Sequence, residues 1–420
     1  MNYAISYLEK HTKGNSYIKA KPVAGLKYIV TIPAYLETSL IESLVSLFSC
    51  TPPASPVETI IVFNWPENET SENISLSKRI IANTISWIDN HIADWISFHF
   101  IILPNVPKRI AGVGYARKTG MDEAIRRFIQ AGQKDGIILS FDGDSICDTN
   151  YFISIESHFL QNHDTDGCSI YFEHPYEGDI FPEIVYKGIV EYELHLRYYL
   201  NCLRNTGFPN AFYTVGSAFA IRASSYCKQG GMNTRKAGED FYFLQKFFDL
   251  GTFSELNTTR VIPSPRPSSR VPFGTGASIT NFMQGENVIL SYNPYSFEIL
   301  KRFFEILPNL FDDNCVHLIN KIDATLGFFL ENCGFYLSLE EIRQNSSDYN
   351  SFRKRFFRYF NMFRILKFLN YAKLNYPDLP ILKCAEIYLK KEGNNEIVNN
   401  DSKILLEIFR HSDRKIIFPR

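Results

Sequence analysis

Between residues 25 and 285 of this 420-residue chain, short apolar runs bounded by turn residues alternate with stretches of helical period. Residues 26–33 (LKYIVTIP) predict a first strand, 38–48 a helix, and 57–64 (VETIIVFN) a second strand once Pro52, Pro53 and Pro56 have broken the chain. A polar insertion, WPENETSENIS, leads to a helix near 77–91, a strand at 95–103, and a glycine-containing loop, IAGVGYARKTG, that opens a helix over 121–130. Strands are predicted again at 136–141, 167–172 and 217–222, with a long amphipathic helix at about 183–203 and another helix at 239–250. This order predicts an α/β sheet with helices on both faces. Residues 263–276 (PSPRPSSRVPFGTG) read as a loop or boundary, and beyond about 290 the pattern is helical and aromatic. Three segments follow: an N-terminal extension, 1–24; an α/β domain, 25–285; and a helical region, 286–420.

Polar clusters sit at the ends of three predicted strands, at 34–37, 64–67 and 142–144. Ligands of such sheets bind beyond the carboxyl ends of the strands, so these clusters belong on one rim. The third cluster carries most of the chemistry. The apolar run Ile137-Ile138-Leu139-Ser140-Phe141 ends on Asp142-Gly143-Asp144. In extended backbone the i and i+2 side chains point the same way, so both carboxylates can face one hard target. Mg2+ or Mn2+ carrying phosphate oxygens is that kind of target. A strand running into an ordinary Asp/Gly turn is the alternative. Glu239-Asp240 opens a predicted helix; a helix N-terminus favours acids for electrostatic reasons alone.

Composition narrows the class. A net charge of −1, with 45% hydrophobic and 21% charged residues, suits a folded soluble protein and argues against nucleic-acid binding through bulk charge. The eight cysteines are scattered without paired spacing, which suits reduced thiols better than zinc or disulfides. The start, MNYAISYLEKHTKG, lacks the apolar core of a signal peptide, and no run of about 20 apolar residues offers a membrane span. A cytoplasmic protein is expected.

Taken in order, four motifs make residues 25–280 resemble the family 2 glycosyltransferases. The resemblance implies a GT-A fold: a Rossmann-like mixed sheet flanked by helices, here with a helical C-terminal region. VTIPAYLE looks like the family's nucleotide-binding start, implying donor contacts from Pro33, Ala34, Tyr35 and Glu37, although Leu36 stands where Asn is usual. GVGYARKTGMDEA looks like the Gly-x-x-x-Ala-Arg segment and implies Arg117 beside the base or phosphates. ILSFDGDS looks like the Asp-x-Asp site, with Asp142 and Asp144 holding Mn2+ or Mg2+ and Asp142 touching the donor. AGEDFYFLQKFFDLG looks like the segment of the catalytic base, implying Asp240 as base and Glu239 as its support.

Two departures stand out. The second strand ends Phe63-Asn64-Trp65-Pro66-Glu67 instead of the family's Asp-Asp-Gly-Ser, leaving Asn64 or Glu67 to hold the base. The Gln-x-x-Arg-Trp motif is absent, and Arg266 and Arg270 stand in a comparable place. Arg270 is a candidate diphosphate clamp, since a guanidinium offers paired donors; a solvated loop arginine is equally open. The resemblance implies sugar transfer from a nucleoside-diphosphate-sugar to an acceptor hydroxyl, with inversion. A saccharide or lipid-linked saccharide acceptor in cell-surface polysaccharide or glycoconjugate assembly is implied. A non-catalytic nucleotide-sugar binder is the alternative. A haloacid-dehalogenase-like phosphatase is a weaker one, because that group carries its Asp-x-Asp on the first strand and here an α/β pattern precedes it.

Residues 351–370 (SFRKRFFRYFNMFRILKFLN) hold Arg353, Lys354, Arg355, Arg358, Arg364 and Lys367 without an acid. Phe352, Phe356, Tyr359, Phe360, Phe363 and Leu366 recur at helical spacing. This pattern suits either a peripheral contact with the inner face of an anionic membrane or an aromatic face packed as core.

Overall fold

The computed structural model describes residues 2–12, 14–270, 272–285, 287–312, 317–393 and 401–415. Eight strands are β1 (Tyr28–Ala34), β2 (Val57–Pro66), β3 (Ile96–Val106), β4 (Ile137–Ser140), β5 (Ile146–Cys147), β6 (Gly167–Phe172), β7 (Phe219–Arg222) and β8 (Phe253–Ile262). They form one sheet in the order β3-β2-β1-β4-β7-β6-β8-β5. Strands β3, β2, β1 and β4 run parallel, β7 is antiparallel to both β4 and β6, β6 and β8 are parallel, and β5 is antiparallel to β8. The expected α/β class and mixed, helix-flanked sheet are therefore present. Parallel strands covered on both faces read as continuous apolar runs. Residues Ile29, Val30 and Ile32 of β1 and Ile60, Ile61 and Val62 of β2 are all fully buried.

The first helices along the chain are α1 (Asn2–His11), α2 (Leu40–Phe48), α3 (Ser71–Asp89), α4 (Val113–Gln130) and α5 (Tyr151–Gln161), followed by α6 (Glu183–Asn205), α7 (Ala223–Lys228) and α8 (Glu239–Phe248). The chain forms two compact units. Of the described residues, the first takes in those within 1–180, 213–278 and 413–420, and the second those within 181–212 and 279–412.

This division departs from the boundary expected at 285. Helix α6, expected inside the α/β domain, belongs to the second unit, where its buried face meets other helices. Tyr198 of α6 stacks edge-on against Phe297 and Tyr388 at 5.9 and 6.3 Å. The first 24 residues are likewise not a separate extension: Tyr7 of α1 donates to Asp122 of α4 at 2.7 Å, and Tyr226 of α7 donates to the same oxygen.

Helix α4 begins at Val113, eight residues before the expected start, so Arg117 stands on a helix and not in a loop. The glycines that suggested a loop serve close approach instead. A Cβ on Gly120 would lie 3.1 Å from Val62 and 3.3 Å from Thr31, so α4 presses directly onto β1 and β2. Below that contact Arg127 of α4 and Glu58 of β2, both fully buried, form an ion pair; Arg127 Nη2 to Glu58 Oε1 is 2.6 Å.

In the second unit, α6 is followed by α9 (Thr275–Gln284), which starts in the first unit, and then by α10 (Pro294–Glu305), α11 (Leu307–Asp312), α12 (His317–Asn320), α13 (Ala324–Asn332) and α14 (Phe335–Gln344). Residues 351–370, expected as one helix, are two: α15 (Tyr349–Tyr359) and α16 (Met362–Ala372). The break falls at Asn361, whose side chain caps α16 by accepting from Arg364 N at 3.3 Å. The aromatic face is core. Phe352, Phe356 and Phe360 are fully buried, and Phe303 of α10 meets Phe335, Phe356 and Phe360 at 5.3–5.7 Å between ring centroids. That packing leaves no apolar face on 352–360 for a bilayer. Among the described residues no helix is long and apolar enough to cross a membrane.

Candidate active site

The parallel strands β1, β2 and β4 end on one rim, which brings the three polar clusters together as expected. Just past β4, residues 142–145 form a turn closed by Ser145 N donating to Asp142 O at 3.1 Å. The extended geometry expected for Asp142 and Asp144 is therefore replaced by a turn, and the two carboxylates engage different partners. Asp142 accepts from Arg117 Nη2 at 2.5 Å, and Asp144 accepts from Arg266 Nη2 at 3.1 Å. Gly143 allows close approach to the β1 exit, since a Cβ there would lie 3.0 Å from Glu37 Cγ.

Glu37 and Asp144 share Arg266, which reaches a Glu37 oxygen at 2.9 Å. Arg270 donates to Tyr35 O at 2.7 Å and stands 3.6 Å from Glu37. Burial, and then the charge of Asp144, push the Glu37 carboxyl up to about 7 despite both arginines. Burial and the Asp142 charge likewise raise Asp144. Glu37 Oε1 is buried and accepts no hydrogen bond from the described residues, although Arg266 Nη2 lies 2.9 Å from it as an ion-pair partner. Among the described residues no group of three or more His, Cys, Asp or Glu side chains is arranged to hold a metal ion. The donors present are oxygens, and their mutual repulsion would be relieved by a cation. Two carboxylates, with water and phosphate completing the shell, suit Mg2+ or Mn2+.

Arg117 is 1% exposed and pairs with carboxylates from two elements, Asp142 after β4 and Glu239 at the start of α8. Both terminal nitrogens of Arg117 are thereby engaged by carboxylates. Glu239 is pushed up to about 7, first by burial and then by Asp240, against the pull of Arg117. Asp240 is raised too, chiefly by burial. Its Oδ1 accepts from Phe241 N at 2.7 Å, which fixes the carboxylate at the helix start. Sequence reasoning missed Gly216. A Cβ at that position would sit 2.9 Å from Asp240 Oδ2 and 3.1 Å from both Arg117 terminal nitrogens. Its signal is a glycine at the entry to β7, within VGSAFAIR.

The remaining predicted residues line the same rim. Asn64 is buried at the end of β2 and donates to Gly112 O at 3.1 Å. Glu67 accepts from Lys108 N at 3.2 Å. Tyr35 donates to Glu69 at 2.6 Å, a carboxylate absent from the sequence-based set that also takes Asn73 Nδ2 at 2.8 Å. Pro33 and Ala34 close β1. Leu36, where the resembled family usually has Asn, holds a left-handed φ of 51°; Asn adopts that backbone more readily than Leu.

No protein-family model matches the chain, and no curated protein sequence matches it. Solved structures similar to it include S. aureus TarS 1-349 in complex with UDP-GlcNAc, at 12% identity and a TM-score of 0.39 over 67% of this chain and 72% of that one. A second structure of S. aureus TarS 1-349 is similar at 15% identity and a TM-score of 0.36, covering 56% of this chain and 60% of that one. Another is glucosyl-3-phosphoglycerate synthase from Mycobacterium tuberculosis with Mn2+, UDP and glucosyl-3-phosphoglycerate, at 16% identity and a TM-score of 0.37, covering 64% and 85%.

Proposed function

We propose that this protein is a GT-A glycosyltransferase that moves a sugar from a nucleoside diphosphate to an acceptor hydroxyl with inversion. The observation that carries the proposal is the Arg117 bridge, which ties Asp142 at the sheet rim to Glu239 beside Asp240. Leaving-group chemistry and proton chemistry thereby fall within one cluster. Asp142 and Asp144 would hold a divalent cation, which when bound neutralises the charge that grows on the departing diphosphate. Arg266 and Arg270 supply further positive charge beside them. Asp240 takes the proton of the acceptor hydroxyl; a carboxyl raised by burial is a stronger base than an ordinary aspartate, and such a base contributes roughly 10²–10⁴-fold. Glu239, locked to Arg117, positions it. Asn64 and Glu67 are the candidates for the base, and a saccharide or lipid-linked saccharide in polysaccharide or glycoconjugate assembly for the acceptor.

The test is release of nucleoside diphosphate from a panel of nucleoside-diphosphate sugars with Mn2+. Turnover should require metal and fall by roughly 10²-fold or more in Asp142→Asn and Asp240→Asn. Unchanged transfer in Asp240→Asn would sink the base assignment. Tight nucleotide binding with no turnover on any donor would identify a binder instead.

A further inference from the structure

Helices α15 and α16 present Arg353, Lys354, Arg355, Arg358 and Lys367 to solvent. None of the five has a carboxylate partner among the described residues. Several cations elsewhere in the same unit are paired: Arg302 with Glu298, Arg343 with Glu340, Lys373 with Asp378, and Arg410 with Glu193. In a chain of net charge −1, five uncompensated cations within residues 349–372 and no acid there make a localised positive surface. The aromatic core beneath fixes it, since Phe352, Phe356, Phe360, Ile365 and Phe368 are all fully buried. Arg364 is not part of it: its half-buried guanidinium stacks 3.5 Å over the Tyr359 ring and donates to Tyr359 O, whereas Arg353, 5.2 Å from the centroid of the Phe357 ring, stays exposed.

Charge alone would suit any polyanion. Leu374 distinguishes among them: it follows the end of α16, two turns beyond Lys367, and is 77% exposed. An exposed leucine two turns along from an unpaired lysine suits a headgroup layer over hydrocarbon better than a soluble polymer. We infer that α15 and α16 form a docking surface for an anionic lipid bilayer, held by headgroup charge and not by insertion of the aromatic face. The inference is independent of the proposed sugar transfer and survives its failure.

Flotation of the full chain with vesicles tests it. Binding is expected to vesicles of phosphatidylcholine with phosphatidylglycerol and not to phosphatidylcholine alone. It should be lost as NaCl rises from about 0.05 to 0.5 M, because screening shortens the reach of surface charge to a few ångströms. One variant combines Lys354→Gln, Arg355→Gln, Arg358→Gln and Lys367→Gln. Each cation near an anionic surface is worth roughly fivefold in partitioning, so this variant should bind about two to three orders of magnitude more weakly. A charge-matched control, Lys10→Gln, Lys78→Gln, Arg79→Gln and Lys134→Gln, should bind like wild type, and melting curves verify that both variants fold. No binding to anionic vesicles, equal losses in variant and control, or binding only to a soluble polyanion such as heparin would each overturn the inference.

Discussion

Arg117 is charged and dry, and both facts limit what it can do. A guanidinium has donors in a fixed fork, so it can hold Asp142 and Glu239 at once; a lysine ammonium is a compact point charge on a flexible stem. Removing one side of a buried pair leaves an uncompensated charge and typically costs ~3–5 kcal/mol. Arg117→Lys should therefore lose about 3 kcal/mol of stability or more in urea unfolding and at least ~10²-fold in nucleoside diphosphate release. If both are unchanged, Arg117 does not hold the site together. The carboxylates of this cluster were legible in the sequence because each stands at a local landmark, a strand exit or a helix start. The role of Arg117 was not, because its partner Glu239 lies 122 positions away and no local pattern encodes the pairing. Gly216 was hidden for the same reason: what excludes a side chain there is Arg117 and Asp240 arriving from other elements. The orientation of Asp142 and Asp144 was misread because a strand that ends at Ser140 no longer imposes alternation on residues two and four positions later.

At the level of elements, the central parallel strands were legible because burial on both faces leaves near-continuous apolar runs. Strand β8 was not: Asn257, Thr258 and Thr259 interrupt its apolar pattern, and its polar side chains find partners on other segments. Arg260 within it binds Asp148 at 3.0 Å and Glu173 at 2.7 Å. The start of α4 was misplaced because glycine normally marks a loop, whereas here it marks contact. A Cβ on Gly114 would lie 2.1 Å from the Arg235 carbonyl oxygen. That oxygen is backbone, so no side-chain rotation relieves the clash, and the 233–238 segment leading to Glu239 would have to move. Gly114→Ala should cost about 1–3 kcal/mol and reduce turnover, while Gly120→Ala, whose Cβ meets side chains at 3.1 Å or more, should cost less. Comparison of the two melting temperatures decides it. A Gly114→Ala protein as stable as wild type would mean that α4 and the 233–238 segment are not in such close contact.

Across the whole molecule, two sets of buried groups respond to acid in opposite directions. Glu37 and Glu239, raised to about 7, burden the fold when ionised, so falling pH relieves them. His158 and His195 do the reverse. Burial, with Arg222 adding to it at His158, lowers His158 to about 4; burial also lowers His195 to about 4, with the Asp378 charge opposing. Each histidine is held neutral against a serine hydroxyl, His158 at 2.8 Å from Ser254 and His195 at 2.9 Å from Ser291. A histidine whose folded value lies below its unfolded value of about 6.5 takes up its proton first in the unfolded chain. Stability from a neutral buried histidine is thus fully present above about pH 6.5 and is lost as pH falls towards 4. At pH 4.5 the loss from His195 is of order 2–3 kcal/mol, and less from His158, which solvent reaches more. Because the carboxylates act in the same window with the opposite sign, the wild-type profile is shallow and hides both effects; a difference between variants isolates one. His195→Gln removes the titrating group and keeps a side chain able to meet Ser291. Its stability relative to wild type, from urea unfolding at pH 7.5 and 4.5, should improve by about 2–3 kcal/mol on going to the lower pH. Parallel profiles for the two proteins would mean that His195 is protonated in the folded state and that burial does not hold it neutral.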